Sequence, residues 1–589
     1  MKLTQSYRTL PAFLAAGTAW LALYSVALAS PQDDYRVHAF DRQQLTNEYL
    51  SEGIAAGDLN RDGQIDMIYG PYWFAGPKFT ERYEIYPPKP QNREGYADHF
   101  FAWVHDFNGD GWNDILTAGF PGTPGFVYEN PGTAGQGKPW PKHQILNQVG
   151  NESPQFTNIV GDSTPELVCS NDGFNGYATF DPKKPFEPWT FHAVSEKVAP
   201  IPFGHGLGVG DVNGDKRMDL LIKDGWFEQP NEVVDGKAWA FHEAPFAPAG
   251  GADMFAYDID GDGDSDVITS LNAHEFGLAW YEQTEDGNFK RHLIMGDRPS
   301  DNRYGVLFTE PHSVQLADID GDGLKDIVTG KTYYSHHKGS PLWDTGAVVY
   351  WFRLVRSSEG VDFVPYKADG ESGIGRQLVV HDINKDGLLD LASGGMNGAH
   401  VLMHRSEKVD KARWLELQPK VVKSEAAPEP VRGTPAKIDD KTGRVSDAIE
   451  AESLPILCTS AGKAGIQEMA GFAKQTWSGN AQLFWGGAKP GERLEVELVV
   501  PTKAKYDVVA AFTMARDYGK VQISLDGQPL GKPLDLFNSP DVISSGEFVL
   551  GNRPLEAGKH TLTLEIQGAN PSAVPAYMVG FDYLRLVPR

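Results

Sequence analysis

Cysteine is almost absent from this chain, whose 589 residues include only Cys169 and Cys458. The two lie far apart, in what we expect to be different domains, so a disulfide framework does not stabilise the protein. Positive charge is also scarce, because 53 Lys and Arg face 79 Asp and Glu and leave a formal net charge of -26. This charge argues against nucleic acid and anionic membrane surfaces as partners.

Three sequence motifs of well-known enzyme classes are missing as well. The chain has no glycine-rich phosphate loop, no nucleophile elbow and no His-Glu-x-x-His segment. Their absence argues against a nucleotide-dependent enzyme, a serine hydrolase and a zinc protease.

The N-terminus is typical of a secretory signal. Lys2 and Arg8 precede an apolar run over residues 10–28, which ends in Ala-Leu-Ala just before Ser30. We predict that residues 1–29 are a signal peptide and that the protein is exported to the periplasm or the extracellular space. An uncleaved membrane anchor is the alternative, since the apolar run is nearly long enough to span a bilayer.

The strongest pattern is a nine-residue loop, D-x-[DN]-x-D-G-x-x-D, which recurs about every 50 residues, in some copies with the glycine shifted. Six intact copies place oxygen-bearing side chains at positions 1, 3, 5 and 9. These residues are Asp58, Asn60, Asp62 and Asp66; Asp106, Asn108, Asp110 and Asp114; Asp211, Asn213, Asp215 and Asp219; Asp258, Asp260, Asp262 and Asp266; Asp318, Asp320, Asp322 and Asp326; and Asp382, Asn384, Asp386 and Asp390. A degenerate copy lies at residues 159–166.

These loops have the chemistry of calcium sites. Oxygen ligands at alternate positions can surround a hard cation, and the glycine permits the sharp reversal of the chain. We therefore predict several structural Ca²⁺ ions, with solvated acidic turns as the alternative. An EF-hand is excluded because short apolar strand segments, not helices, flank the loops.

The loops and their flanking strands resemble the FG-GAP or VCBS repeat family, in which such loops join the first two strands of each blade of a β-propeller. The resemblance covers about residues 35–405 and, with the degenerate copy, implies seven blades. The N-terminal strand at residues 35–40 precedes the first loop, and the seventh repeat lacks a clear fourth strand. We therefore expect this strand to complete the last blade and close the ring.

A second domain follows a linker that is rich in Lys, Pro and Ala. We place the propeller at residues 30–405, the linker at 406–446 and a β-sandwich at 447–589, because alternating apolar and polar segments recur in this last part. Ile449-Glu-Ala-Glu-Ser, Trp477-Ser-Gly-Asn and Gly580-Phe-Asp-Tyr resemble jelly-roll carbohydrate-binding modules. The predicted fold class is therefore all-β, and Trp477 and Trp485 are candidates for stacking on sugar rings.

A propeller brings one end of every innermost strand to the rim opposite the metal loops. Counting six residues back from the first Asp of a loop gives Glu52, His205, His312 and Arg376, and the loops after the second strands reach the same rim. These residues differ from repeat to repeat, which packing alone does not require, so we interpret them as lining a functional funnel. The catalytic candidates are His205, His274, His312, Arg376, Lys331 and Tyr333, and the substrate-binding candidates are Trp226, Tyr334, His336 and His400.

Two reactions suit this set of residues. Either the three histidines bind Zn²⁺, or a His or Tyr removes a proton next to a carbonyl while Arg376 or Lys331 stabilises the enolate. Segments 272–283, 310–313 and 330–334 resemble the propeller of aldos-2-ulose dehydratases, which implies elimination from a sugar by a lyase or dehydratase. The competing hypothesis is a non-catalytic propeller that binds glycan or protein at the cell surface or in the periplasm.

Overall fold

The structure is a computed structural model that describes residues 35–589 except 136, 299–300, 334–339, 344, 423–430, 440, 473–475, 540 and 575. Nearly all of its regular structure is β-strand, which confirms the predicted all-β class. The described chain contains one α-helix, α1 (Lys411–Leu417), and none of its helices has the length and apolarity needed to cross a membrane. The predicted signal peptide lies outside the described residues.

Antiparallel meanders account for the strands before residue 409. The first strand is β1 (Arg36–Thr46). The next three meanders are β2 (Ala55–Gly57), β3 (Asp66–Tyr69), β4 (Tyr72–Phe74) and β5 (Arg82–Glu84); β6 (His99–His105), β7 (Asp114–Gly119), β8 (Thr123–Tyr128) and the first part of β9 (Lys142–Thr157); and the rest of β9 with β10 (Glu166–Asn171), β11 (Phe174–Thr179) and β12 (Thr190–Ala193).

Four further meanders continue the series. They are β13 (Leu207–Gly210), β14 (Asp219–Ile222), β15 (Gly225–Glu228) and β16 (Ala240–Glu243); β17 (Asp253–Tyr257), β18 (Asp266–Ser270), β19 (Leu278–Gln283) and β20 (Phe289–Met295); β21 (Gln315–Ala317), β22 (Asp326–Lys331), β23 (Val348–Ser357) and β24 (Gly360–Asp369); and β25 (Leu378–His381), β26 (Asp390–Gly395) and β27 (Gly398–Lys408). The last sheet has the order β1-β27-β26-β25, so the N-terminal strand does supply its fourth strand.

The first strands of these meanders contact one another in a series that returns to its start. The first four meanders after β1 are linked in turn by the hydrogen bond from Glu52 N–H to the His99 carbonyl, the Trp103–Phe156 ring contact and the hydrogen bond from Gln155 Nε2 to the Leu207 carbonyl. The fourth to the seventh are linked by the parallel pairing of β13 with β17, the hydrogen bond from Val314 N–H to Asp253 and the hydrogen bond from Leu378 N–H to Ser313 Oγ. The bridge between Gly53 and Gln377 links the seventh back to the first. These links bring residues next to the N-terminal ends of the first strands close together.

The second strands of the meanders begin at the ninth position of the acidic loops. In the first loop, both carboxylate oxygens of Asp66 accept backbone N–H groups, from Leu59 at 2.8 Å and from Gly76 at 2.9 Å. Asp66 is fully buried, and burial raises its pKa to about 6. The ninth carboxylate therefore ties the loop to the following hairpin, because a buried carboxylate needs such donors.

The C-terminal part contains two sheets that share one hydrophobic core. The strands are β28 (Ile449–Glu450), β29 (Ile456–Thr459), β30 (Lys463–Glu468), β31 (Ala481–Gly486), β32 (Arg493–Val500), β33 (Ala504–Met514), β34 (Gly519–Leu525), β35 (Gln528–Asp535), β36 (Ile543–Leu555), β37 (Gly558–Ala569) and β38 (Val579–Pro588). One sheet has the order β30-β31-β38-β33-β36, with β28 beside β38, and the other has the order β29-β32-β37-β34-β35. Alternating buried residues, such as Leu494 and Val496, fill the space between them.

A small separate unit includes residues 35–38 and 406–418. In it, Asp410 caps α1 by accepting the Arg413 N–H at 2.8 Å, and the Val409 N–H donates to the Tyr35 carbonyl. The segment predicted as a linker thus starts with a short helix. Its aperiodic sequence did not indicate one, and an N-cap with a ring contact between Tyr35 and Trp414 supports it.

Candidate functional site

The structure brings together the three histidines that the sequence singled out. His205 and His312 precede β13 and β21, and His274 lies in the loop after β18. The Nε2 atoms of His274 and His205 are 2.8 Å apart, and the ring centroids of His274 and His312 are 4.8 Å apart. The structure therefore places these three side chains next to one another.

Two glutamates that were not among the predicted site residues complete the cluster. Glu152 Oε1 lies 3.5 Å from His205 Nε2, and Glu310 Oε2 lies 3.2 Å from His312 Nε2. Ligand atoms of Glu152, His205 and His312 all lie within 4.8 Å of one another, as do those of His274, Glu310 and His312. Tetrahedral ligands of Zn²⁺ are roughly 3.3 Å apart when each bond is about 2.0–2.1 Å long, so these distances suit a zinc-sized cation.

The electrostatics around His312 favour its neutral ring. Burial and the nearby Arg376 hold the pKa of His312 well below its ordinary value, although the Glu310 carboxylate beside it acts in the opposite direction. Burial alone would lower the pKa of Arg376, but Glu152 and Glu52 outweigh it and raise that pKa. Neutral imidazole is the form of histidine that can ligate a metal, and His312 is therefore in that form.

Arg376 and Glu52 lie next to the cluster and contact each other. Arg376 is buried, its Nε lies 3.5 Å from Glu152 Oε2, and its backbone N–H donates to the Glu52 carbonyl at 2.7 Å. Burial raises the pKa of the Glu52 carboxyl, which accepts hydrogen bonds from the Tyr49 hydroxyl and the Ala97 N–H. Glu52 therefore contacts, through its backbone carbonyl, the same arginine that contacts Glu152.

Glu310 adopts a backbone conformation that is unusual for its residue type. Its φ is 62°, in the left-handed region, and its side chain is fully buried. Such a conformation costs of order 1–3 kcal/mol and is found mostly where a functional site requires it. The turn holds the Glu310 carboxylate against His312 two residues later.

A cavity of about 550 Å³ opens onto the cluster. It is lined by Tyr96, Glu152, Phe203, His205, His274, Glu275 and Ser340. The Tyr96 ring also lies 5.9 Å from the Arg376 guanidinium. Aromatic faces next to carboxylate and imidazole groups are a lining that can accept a small, oxygen-rich molecule.

The other predicted funnel residues are not all at the cluster. Lys331 is buried at the end of β22, and the N–H of the next residue, Thr332, donates to the Glu310 carbonyl. Tyr333 packs with Tyr49. Tyr334 and His336 lie outside the described residues.

Two of the predicted substrate-binding residues occupy other places. Trp226 is buried in β15 and stacks on His242, with ring centroids 4.1 Å apart. His400 is buried in β27, with Gln44 Nε2 at 3.4 Å from its Nε2. Both side chains are packed in the interior. The prediction missed this because the position of a residue within a repeat does not show which way its side chain points.

The predicted sugar-stacking tryptophans of the C-terminal part are in its interior. Trp477 is 1% exposed and donates its indole N–H to Thr513 at 2.8 Å, and Trp485 is 0% exposed and donates to the Ala461 carbonyl at 2.9 Å. The interpretation of these two residues as sugar platforms is therefore wrong. A buried indole needs one such acceptor, and both have one.

The acidic loops keep their oxygens together through internal hydrogen bonds. In the first loop Asp58 accepts the Gly63 N–H and Asn60 accepts the Asp62 N–H. Two loops have acid groups within 4.8 Å of one another: Asp258, Asp260 and Asp262, and Asp318, Asp320 and Asp326. In the second of these, Arg353 already contacts Asp322 at 2.9 Å, so a calcium ion there competes with a guanidinium.

The chain contains an FG-GAP-like repeat, whose family model matches residues 258–329. This stretch runs from the loop before β18 into β22, which confirms the repeat predicted there. A search of curated proteins finds no match to the chain.

Several solved structures are similar over long or short parts of the chain. A xanthan lyase from Paenibacillus is 12% identical over 91% of this chain and 42% of its own length, with a TM-score of 0.22. An arabinoxylan arabinofuranohydrolase of glycoside hydrolase family 43 from Bacillus subtilis is 14% identical over 92% of this chain and 97% of its own, with a TM-score of 0.21. A family 35 carbohydrate-binding module from an environmental isolate is 13% identical over 24% of this chain and 93% of its own, with a TM-score of 0.18. The chain thus spans less than half of the xanthan lyase, and scores this low establish no shared fold.

Proposed function

We propose that residues 35–405 form a seven-bladed β-propeller that holds Ca²⁺ in its loops, and that its funnel is a metal-dependent site that processes carbohydrate. The series of links between first strands, which returns to its start, supports a closed ring. Pairing of β1 with β27 supports closure by the N-terminal strand, since it gives β27 a partner on each side and links the two ends of the series. Export, the domain boundaries and a carbohydrate-binding sandwich at residues 447–589 belong to the same proposal.

The observation that carries the proposal is the convergence of three histidines and two glutamates at one cavity. Imidazole and carboxylate are the donors of catalytic zinc sites, which use three protein ligands and leave a position open. His312 belongs to both possible ligand sets, and either Glu152 with His205 or Glu310 with His274 completes it. When bound, the ion would polarise a carbonyl or carboxylate oxygen of the substrate.

The remaining residues suit an elimination from a sugar. Whichever of His205 and His274 does not bind the ion would take the proton next to the carbonyl and give it to the oxygen that leaves, so that a carbon–carbon double bond forms as the carbon–oxygen bond breaks. Arg376 keeps Glu152 in place and adds positive charge beneath the cavity, which stabilises an enolate. Tyr96 and Phe203 offer ring faces to the sugar. The resemblance of segments 272–283 and 310–313 to aldos-2-ulose dehydratases points to the same reaction.

Changing His205, His274 and His312 together to alanine should test the site. The variant should lose bound zinc, measured by elemental analysis after dialysis, and should lose release of unsaturated product from keto-sugars and acidic sugars, measured by ultraviolet absorbance. The matched control changes His143, His242 and His292 to alanine, because each lies on the fourth strand of its meander and contacts a glutamate there rather than the cluster. Zinc retained by the first variant, or lost equally by both, would refute the metal site.

A further inference from the structure

One side chain of the C-terminal sheets reaches the candidate site. Arg516 lies just after β33, and its guanidinium makes two contacts with the Glu275 carboxylate: Nη1 to Oε2 at 2.5 Å and Nη2 to Oε1 at 2.7 Å. This is a bidentate arginine–carboxylate pair, whose two parallel hydrogen bonds fix the orientation of both groups. The hydrogen bonds to Glu275 also raise the pKa of Arg516, which stays charged.

Glu275 connects this arginine to two of the proposed metal ligands. It directly follows His274, and its backbone carbonyl accepts the N–H of Glu310 at 3.0 Å. The His274 N–H in turn donates to Asn272 Oδ1 at 2.9 Å, which fixes the start of the same loop. Displacing Glu275 would therefore move His274 and release the backbone of Glu310 together.

Glu275 also lies between two cavities. It lines the 550 Å³ cavity at the histidines and a second cavity of about 570 Å³, whose wall includes Arg516, Asp541 and Asp297. Ser539 of the C-terminal part donates to Asp297 at 2.6 Å in that second wall. The C-terminal part thus contacts, through Arg516, the loop that carries His274, at the residue directly after that histidine.

We propose that Arg516 is a positioning residue of the metal site, so that the C-terminal domain completes the funnel as well as binding glycan. The proposal rests on the metal site proposed above. Groups that orient metal ligands typically change metal affinity by about 10–100-fold when they are removed, and Arg516 acts on His274 and Glu310 through Glu275.

The test uses the full chain and Co²⁺ as the probe, because its visible absorption reports the number and geometry of ligands. Arg516→Ala should bind Co²⁺ at least about tenfold more weakly than wild type and show an altered visible band. Arg516→Lys should bind Co²⁺ with an affinity between those of Arg516→Ala and wild type, since lysine keeps the charge without the bidentate contact. Hydrogen exchange at residues 308–312 should become faster in Arg516→Ala, because the Glu310 N–H loses its fixed acceptor.

Two control variants separate positioning from general effects. Ser539→Ala removes a second contact of the C-terminal part, with Asp297, and Arg493→Ala removes an exposed pair with Glu565 inside the C-terminal part. Both should keep the Co²⁺ affinity, the band and the exchange of wild type. Wild-type Co²⁺ binding by Arg516→Ala would overturn the proposal.

The two proposals fail in different ways. If the wild type does not bind Co²⁺, the metal site is refuted, and the role of Arg516 is then judged by exchange alone. Unchanged exchange at residues 308–312 in Arg516→Ala would overturn it, whereas faster exchange that neither control shows would support the positioning of this loop by Arg516.

Discussion

Asp253 links three of the innermost strands and should make the protein less stable as the pH rises. It starts β17, is buried, and accepts hydrogen bonds from the Val314 N–H at 2.9 Å and from Ser313 Oγ at 3.2 Å. The same Ser313 Oγ accepts the Leu378 N–H at 3.3 Å. Changing Asp253 to asparagine keeps an acceptor for Val314 and removes the ionisable group.

The sign of the effect follows from the pKa of this carboxyl. Burial raises it from 3.8 to about 7, and the hydrogen bonds from Val314 and Ser313 offset only part of that rise. The folded state therefore binds the proton more tightly than the unfolded state does. The stability that this proton provides is complete below about pH 4, is lost as the pH rises to about 7, and amounts to at most ~4 kcal/mol.

The experiment compares urea unfolding of Asp253→Asn and wild type from pH 4 to pH 8 in excess calcium. The free energy of unfolding of the variant, relative to wild type, should rise with pH by up to ~4 kcal/mol and level off above pH 7. Asp181→Asn is the control, because Asp181 is exposed and accepts only the Lys183 N–H of its own turn. A difference between Asp253→Asn and wild type that does not change with pH would refute the reasoning.

Two further predictions concern the proposed propeller. Deleting residues 35–40 removes the first part of β1 (Arg36–Thr46), which should leave part of β27 unpaired, and it removes the Phe40 ring that stacks on His404 at 4.6 Å, so the truncated protein should aggregate in size-exclusion chromatography; a monodisperse and equally stable product would contradict ring closure. Chelating calcium should lower the midpoint of calorimetric unfolding, because each site filled to a hundred times its Kd contributes ~2.7 kcal/mol; an unchanged midpoint would show that the loops do not bind calcium.

The regular part of each repeat could be predicted from the sequence because its determinants are local. Six second strands begin at the ninth residue of a loop, as β3 does at Asp66 and β22 does at Asp326. That carboxylate accepts an N–H from seven residues earlier in its own loop, so a nine-residue pattern contains both partners. The loop, the turn and the strand start are one local unit.

The candidate site was only partly predictable because its contacts join distant repeats. The six-residue offset identified His205 and His312, and the same offset in the degenerate third repeat, which starts at Asn158, leads to Glu152. The loop of that repeat lacks the intact acidic pattern, so it offers no first Asp from which to count the offset. Glu310 does not lie six residues before the first Asp of a loop, so counting from the loops does not find it. Its approach to His312 depends on a left-handed backbone conformation that sequence spacing does not reveal.

For the tryptophans of the C-terminal part, the sequence could not show which face of a strand is buried. In β31, buried positions alternate with less buried ones near its end, so Leu483 and Trp485 point into the shared core. An alternating pattern predicts a strand with two unlike faces, but an aromatic residue suits either a core or a sugar platform. Only the position of the second sheet decides between them.

The identity of the residues at the six-residue offset is itself an argument for function. Across the seven repeats this position holds Glu52, Phe100, Glu152, His205, Ala252, His312 and Arg376. Phe100 and Ala252 show that apolar side chains fit there, yet the charged residues Glu52, Glu152 and Arg376 are buried as well. Removing a charge from water costs several kcal/mol, and a well-packed hydrophobic group is often as stable as a buried ion pair. Packing therefore does not explain this choice of residues, whereas a polar ligand at the proposed site would.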